Sequence, residues 1–465
     1  MSAHSVLDGA AEVWTVSSGI GFEAILRGVP VVTFGVPFYA GLGLTSDQAT
    51  GAASAAALAR RTADQAPLTL FAAAFIAYAR YADPVSQRAT TLDGAMDRLI
   101  DWRRRTGELS AGKTVSFGFS RWKRRSAKVF LGGGTDQVVF AGKPRTRTLG
   151  RLVRDPTPVR IATWGVVDPP GFEAVARSRG GFVRVEDGFI RSRGLGSDLR
   201  PAGSLVVDDL GIYYDASRPS RLECLINDGP FPSALIARAQ RLRGRLVESG
   251  TTKYNLGSAT VDLAAMAGQR KVVLVVEQVP GDAALRLGCD RITTNRALLE
   301  AVRASRPNAF IVYKEHPDVV AGNRPGRLSK RALLEKADLV VSSGDLASLY
   351  RATHELHVIS SLAGFEALCR GVHVSVWGRP FYGGWGLTQD YATFERRKRQ
   401  VSLDELVAAT LICYPRYADP IYSVPCSVED FLDGLDAVRA ASGPTLPARA
   451  GLGRQLKRFK RWLTG

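Results

Sequence analysis

Residues 360–390 read SSLAGFEALCRGVHVSVWGRPFYGGWGLTQD, and residues 17–47 read SSGIGFEAILRGVPVVTFGVPFYAGLGLTSD. Each copy has a serine pair, then a short helical stretch, then an aliphatic run (Val372–Val376 in one, Val31–Phe34 in the other), then a glycine-rich loop. A β-rich run after a short helix, bounded by glycines, is the pattern of a βα unit in a parallel sheet. The register is constant across the block, with Gly21 on Gly364, Phe22-Glu23 on Phe365-Glu366 and Pro37-Phe38-Tyr39 on Pro380-Phe381-Tyr382. Both copies go on to a Tyr-Ala-Asp-Pro, at Tyr81–Pro84 and Tyr417–Pro420. A repeat at such spacing is a duplicated domain and not a solenoid.

Outward from the second copy, short apolar runs alternate with helical stretches. The runs are Val159–Thr163, Val183–Val185, Leu205–Val207, Lys271–Val276, Ala309–Tyr313, Leu339–Ser342 and His357–Ile359, with Ser233–Val247 as a longer helix. This predicts an α/β fold of two Rossmann-like halves, their parallel sheets facing a cleft, preceded by a partial repeat of the second half. The front copy has only sixteen residues ahead of Ser17, so residues 1–108 read as the back end of a module, expected to dock on the rest or to be poorly stable alone. Arg103–Arg105 and the Gly107 region read as a linker, and Thr114–Arg125 as the start of the intact module.

The chain has 62 Lys+Arg against 44 Asp+Glu, a formal charge of +18, which favours anionic partners without choosing among them. Its five cysteines, Cys224, Cys289, Cys369, Cys413 and Cys426, are scattered, with no CxxC, so neither a disulfide framework nor a zinc site is expected. The first ten residues lack a basic region followed by an apolar one, and the Ala-rich run Leu68–Ala79 is too short to span a bilayer. The expectation is a cytoplasmic protein that touches a membrane surface.

The polar residues that follow the strands are the candidate site. Glu186-Asp187, ahead of Gly188, could supply a nucleophile and a base; the same dipeptide also suits a capped turn. Arg191 and Arg193 add cations beside it. Lys314, His316, Pro317 and Arg324 could hold a phosphate and stabilise a departing nucleotide, although a backbone-bonded loop histidine is the plainer alternative. Gln278 ends another strand. Ser360 and Ser361 could cap a helix and present N–H groups to a phosphate, with Glu366 reaching a ribose diol; a buried helix with an ordinary cap is the alternative. There is no GxGxxG and no GxxxxGK[ST]. Asp208-Asp209 reads as a strand-to-turn feature, and neither a metal nor another cofactor is expected.

Together, EDGFIRSRGLGSDL (186–199), GIYYDASRPS (211–220), KYN (253–255), YKEHPDVVAGNR (313–324), SSLAGFEALCRG (360–371) and RPFYGGWGLTQD (379–390) resemble one module of the bacterial capsule polysaccharide proteins of the KpsC/LipA type, which are β-Kdo glycosyltransferases with two tandem modules. The resemblance covers about Lys113 to Tyr422, with residues 14–108 similar to the end of a first module. It implies a GT-B-like fold divided into 1–108 (truncated first module), 109–265 (acceptor-side half), 266–440 (CMP-sugar half with crossover helices) and 441–465 (basic tail). It implies a retaining transferase that uses CMP-β-Kdo to extend a poly-Kdo linker on lyso-phosphatidylglycerol. Carried over residue by residue, the acidic motif is Glu186-Asp187, the cytidylate motif His316-Pro317, and the serine motif Ser360-Ser361 with Glu366. The first copy lacks the acidic and His-Pro motifs, so one module would add one linkage type.

Implied partners are the CMP-Kdo donor, a Kdo-terminated phospholipid acceptor, the anionic inner-membrane surface and capsule-assembly proteins, but no nucleic acid. In the tail, Leu456, Phe459 and Leu463 share a helical face, with Lys457, Arg458 and Arg461 around it, a pattern for an interfacial contact. Two rival readings stay open: a catalytically incomplete scaffold that binds capsule-assembly partners, and a nucleotide-sugar epimerase of the same two-Rossmann class.

Overall fold

The aliphatic runs become strands, and the strands sort into sheets. The computed structural model describes residues 3–83, 89–107, 113–132, 138–145, 147–148, 150, 154, 158–166, 168–190, 202–251, 262–322, 324, 326, 328–344, 346–421 and 423–442. The chain divides into two compact units, Met1–Asp101 and Trp102–Gly465.

The first unit holds three parallel strands, β1 (Val13–Thr15), β2 (Val31–Thr33) and β3 (Ser46–Asp47), with the helix Ile20–Ile25 between the first two. A helix at Pro67–Phe71 widens into a π-helix at Ala72–Tyr78, and β4 (Tyr81–Ala82) and β5 (Ala89–Thr90) pair antiparallel. Leu7, Phe22, Ile25, Val31 and Tyr39 form its core.

In the second unit, one sheet is built from β6 (Thr114–Phe117), β7 (Val138–Phe140), β8 (Arg160–Trp164), β9 (Phe182–Asp187) and β10 (Ser204–Asp208). The other holds β11 (Val272–Val276), β12 (Phe310–Lys314), β13 (Leu339–Val341), β14 (Glu355–Val358), β15 (His373–Val376) and β16 (Gln389–Asp390), all parallel. Its order, β13-β12-β11-β14-β15-β16, is that of a doubly wound dinucleotide fold. β11 and β12 are buried along their whole length, which is why their sequences, VVLVV and FIVYK, show no alternation. The chain then crosses back. Ser402 opens a capping box on the helix Leu403–Val407, which runs into a π-helix at Ala408–Cys413. β17 (Pro415–Ala418) and β18 (Pro425–Cys426) then join the first sheet, giving β18-β17-β10-β9-β8-β6-β7. That sheet is parallel only across β7-β6-β8-β9; β10, β17 and β18 add antiparallel.

Cations brace the crossing. Arg238 pairs with Glu429 at 2.8 and 2.7 Å, Arg243 with Asp404 at 2.8 Å, and Arg396 with Glu223 at 2.6 Å. Asp208, buried, accepts the N–H groups of Leu210, Gly211 and Arg221 and the Tyr414 hydroxyl at 2.8 Å, while Asp209 pairs with Arg221. This acidic pair is a strand-to-turn feature that also anchors the returning helix.

The duplication is structural as well as sequential. Both copies have the strand–helix–strand unit, the helix widening into a π-helix and the short antiparallel pair. Tyr39 donates to the Ser18 carbonyl as Tyr382 does to that of Ser361. Asp47 receives Gly41 N–H and Thr45 Oγ1 at 2.7 Å each; Asp390 receives Gly384 N–H and Thr388 Oγ1 at 3.1 and 2.6 Å. Arg61 reaches the carbonyls of Pro37 and Ala40, and Arg397 those of Pro380 and Gly383. A Cβ at Gly21 or Gly364 would collide with the hydroxyl of Tyr39 or Tyr382, so both helices need glycine there. The large residues Phe34, Phe38 and Tyr78 are exposed, whereas in the second unit Phe381 and Tyr414 are buried and Trp377 is half-buried.

Three expectations change. Arg103–Arg105 and Gly107, read as a linker, are helical: they close the helix Leu92–Gly107, where Leu92, Met96 and Leu99 recur at helical spacing and within which the division between the two units falls, after Asp101. Glu186 and Asp187 do not follow β9 but are its last two residues. β14 starts two residues earlier than read, because Glu355 and Leu356 pair with His373 and Val374.

Upstream of that carboxylate pair, Arg184 of β9 is buried and bonded to Asp168 at 2.6 Å and Glu173 at 2.8 Å. Burial alone would raise the Glu173 carboxyl, but hydrogen bonds from Arg218 and Arg177 and the charge of Arg184 hold it at about 2, below its ordinary 4.5. A carboxyl lowered on folding contributes stability that is complete above 4.5 and is lost as pH falls through about 2. After discounting for solvent, Glu173→Gln should cost about 1–2 kcal/mol at neutral pH. Denaturant titrations across pH should show the gap to wild type closing between pH 4.5 and about 2, and a pH-independent gap would contradict the account.

Candidate functional site

In a doubly wound sheet the ligand crevice lies at the carboxyl ends of the two strands where the order reverses, here β11 and β14. Gln278, just past β11, joins them: its Nε2 donates to Ser360 Oγ at 3.1 Å, and its Oε1 accepts the Ser360 N–H at 3.2 Å. Asn295 fixes the Gln278 backbone, accepting its N–H at 3.0 Å and donating to its carbonyl at 2.8 Å.

After β12 the chain turns on buried carboxylates. Glu277 accepts the His316 N–H at 2.7 Å, and Ser342 donates to Glu315. Lys314 is itself buried, with Nζ donating to the Glu315 carbonyl at 3.0 Å. His316 caps the helix Pro317–Val320 through Nδ1, which accepts the Asp318 N–H at 3.1 Å. The proton of the neutral imidazole therefore sits on Nε2, making that edge a donor.

The serine pair divides its work, Ser360 away from the helix and Ser361 at its first N–H. The helix Ala363–Leu368 has Leu362 at its N-cap, with no side-chain cap bond. Ser360 is occupied with Gln278, and Ser361 Oγ accepts the Ala363 N–H at 3.3 Å. The adjoining glycine-rich loop is packed down: Trp385 is fully buried, its Nε1 bonded to the Phe381 carbonyl at 2.8 Å.

Across the cleft stands the end of β9. Successive residues of a strand face opposite sides, so Glu186 and Asp187 occupy different surroundings. Tyr214 donates to Glu186 Oε2 at 3.4 Å; burial, then the neighbouring Glu186 charge, pushes the Tyr214 hydroxyl above its ordinary value. Asp187 Oδ1 lies 4.0 Å from Lys123 Nζ, which sits 3.2 Å above the centre of the Trp164 ring.

Both walls line one cleft of about 800 Å³. It brings together Glu186, Asp187, Gln278, Lys314, His316, Pro317, Arg324, Ser360, Ser361 and Glu366. Arg191, Arg193, the Lys253–Asn255 motif and the basic tail lie outside the described residues. Sequence reasoning passed over Trp122, Lys123, Trp164, Tyr213, Tyr214, Asp282 and Arg379, which also line the cleft. Several stand in the quoted motifs, but only the fold carries them to the same side as the acidic pair.

The capsule polysaccharide biosynthesis protein model matches residues 1–81 and 161–417, both copies of the repeat. The chain belongs to that family. It is 41% identical over 420 residues to the capsule polysaccharide modification protein LipA of Neisseria meningitidis, over 90% of this chain and 58% of that protein, so it spans less than two thirds of that relative's length. Two solved structures from Thermosulfurimonas dismutans are similar at 32% identity. KpsC, beta Kdo 2,7 transferase, has a TM-score of 0.56 and is covered in full by 70% of this chain. KpsC, beta Kdo 2,4 transferase, has a TM-score of 0.57, with 69% of this chain covering 97% of it. The two-lobed GT-B-like architecture is thus the family's own. Among the described residues no helix is long and apolar enough to cross a membrane.

The cap on Pro317–Val320 gives a direct test of why His316 stands there. His316→Ala should lower stability by about 1 kcal/mol, and His316→Asn, which can cap, should restore most of it. Thermal unfolding of the three proteins checks this; equal losses in both variants would contradict the capping geometry.

Proposed function

We infer that the second unit transfers Kdo from CMP-β-Kdo with retention of configuration, extending a poly-Kdo linker on a (lyso)phosphatidylglycerol acceptor at the inner-membrane surface. The single observation that carries this is the pairing, across one cleft, of the Glu186–Asp187 strand end with the His316 and Ser360 loops of the doubly wound half. The names of the two Kdo transferases with the same fold support the sugar and its transfer.

The donor's anomeric carbon is tertiary and bears a carboxylate, so loss of the nucleotide creates an oxocarbenium-like centre that a carboxylate can trap. In this reading Asp187 attacks that carbon while its bond to the phosphate oxygen breaks, and CMP leaves with the electron pair. His316 Nε2–H, Lys314 and Arg324 stabilise the departing phosphate. Glu366, in the first turn of its helix, reaches towards the ribose diol. Glu186, held by Tyr214 on the opposite face of β9, takes the proton of the acceptor hydroxyl as that oxygen attacks the same carbon and releases Asp187. Two displacements give net retention.

Asp187→Asn and Glu186→Gln should each lower turnover by roughly 10²-fold or more with folding retained. The assay is release of CMP from CMP-Kdo with a Kdo-terminated lipid analogue, alongside the circular dichroism of each variant. Wild-type rates in both variants would remove the acidic pair from the chemistry.

A further inference from the structure

The cleft has a third charged group on the β9 wall, and its surroundings are too specific for a solvated surface lysine. Lys123 lies in the first turn of the helix Arg121–Leu131, which follows β6. Its ammonium rests 3.2 Å from the centre of the Trp164 ring and 5.4 Å from that of Trp122. The side chain is 18% exposed, and Nζ stands 4.0 Å from Asp187 Oδ1. Trp164 ends β8 and is paired opposite Val185 of β9, so ring and carboxylate are fixed by neighbouring strands, with the ammonium brought to them by the helix that follows β6. Trp164 is in turn held edge-on by Phe119, with ring centroids 5.2 Å apart. A cation on an aromatic face keeps its charge while losing side-chain freedom.

We propose that Lys123 binds the carboxylate of the activated sugar and holds it beside Asp187. The inference rests on the donor assigned above. In a 2-keto sugar acid the carboxylate is bonded directly to the anomeric carbon. An Asp187 oxygen poised to attack that carbon sits about 3–3.5 Å from it, which brings two like charges together. Their repulsion would keep the donor out of register unless a cation lies between them. The Lys123 ammonium, 4.0 Å from Asp187, has three N–H groups and can serve both carboxylates at once. The Trp164 ring covers one side of it, 3.2 Å away. Lys123 is thus a donor-binding and positioning residue that selects nucleotide sugars with an acid at the anomeric carbon.

The test compares freshly prepared CMP-Kdo with CMP in calorimetric titrations of the full chain, as wild type, Lys123→Gln and Lys123→Arg. The expected result is that Lys123→Gln binds CMP within about twofold of wild type but CMP-Kdo at least tenfold more weakly, and that Lys123→Arg recovers part of the loss. A variant that loses CMP and CMP-Kdo together would reduce Lys123 to a structural prop, and one that binds both like wild type would remove it from the site; either overturns the proposal. A wild type that binds CMP but gains nothing from the Kdo group overturns it too. A wild type that binds neither ligand takes down the donor reading itself, which separates the two failures.

Discussion

Between β11 and β14 the strand order reverses, and the crossovers leave that point on opposite sides. No connection can roof the carboxyl ends of these two strands, so a crevice stays open there whatever side chains line it. Everything the site does depends on that opening. The Gln278–Ser360 pair holds the two strand ends together at its floor. The buried Glu277 and Glu315 fold the next loop so that His316 stands on the rim. Polar groups buried this deeply are tolerable because each has a partner, and the same partnering makes the rim rigid.

A crevice alone binds; it does not transfer. The opposing wall arrives because the chain crosses back after β16 and adds β17 and β18 to the first sheet. Arg238–Glu429, Arg243–Asp404 and Arg396–Glu223 brace that crossing, and Tyr414 ties the returning π-helix to Asp208. The last two residues of β9 then face the doubly wound half from separate surroundings. Alternation along the strand gives Glu186 a tyrosine and Asp187 a lysine, and two adjacent carboxylates with different neighbours can carry different tasks.

Much of this was legible in the sequence. VVLVV and FIVYK announce strands covered on both faces, and the repeat exposed the βα unit through its glycines and tyrosines. Of the candidate residues at or just past strand ends, Glu186, Asp187, Gln278, Lys314, His316, Ser360 and Ser361 line one cleft, while Arg191 and Arg193 lie outside the described residues. What stayed hidden follows from physics that a linear reading lacks. The triple arginine lies where the two units divide, but that the segment is helical rests on the three-to-four spacing of Leu92, Met96 and Leu99 upstream of it. The Ser360–Ser361 pair looked like a helix cap because hydroxyls before helices usually are; a glutamine 82 residues away takes the first of them. Lys123 and Trp164 meet Asp187 only through the pairing of β6, β8 and β9, which no local pattern encodes.

The measurement that bears most directly on this account is intact-protein mass spectrometry, with peptide mapping, after rapid mixing with CMP-Kdo in the absence of acceptor. If β9 presents the nucleophile to a donor held by the doubly wound half, a fraction of the protein gains the mass of one Kdo residue, on the peptide carrying Asp187, and the gain disappears on adding acceptor. An adduct on a residue away from the end of β9, or one that forms undiminished in Asp187→Asn, would contradict it.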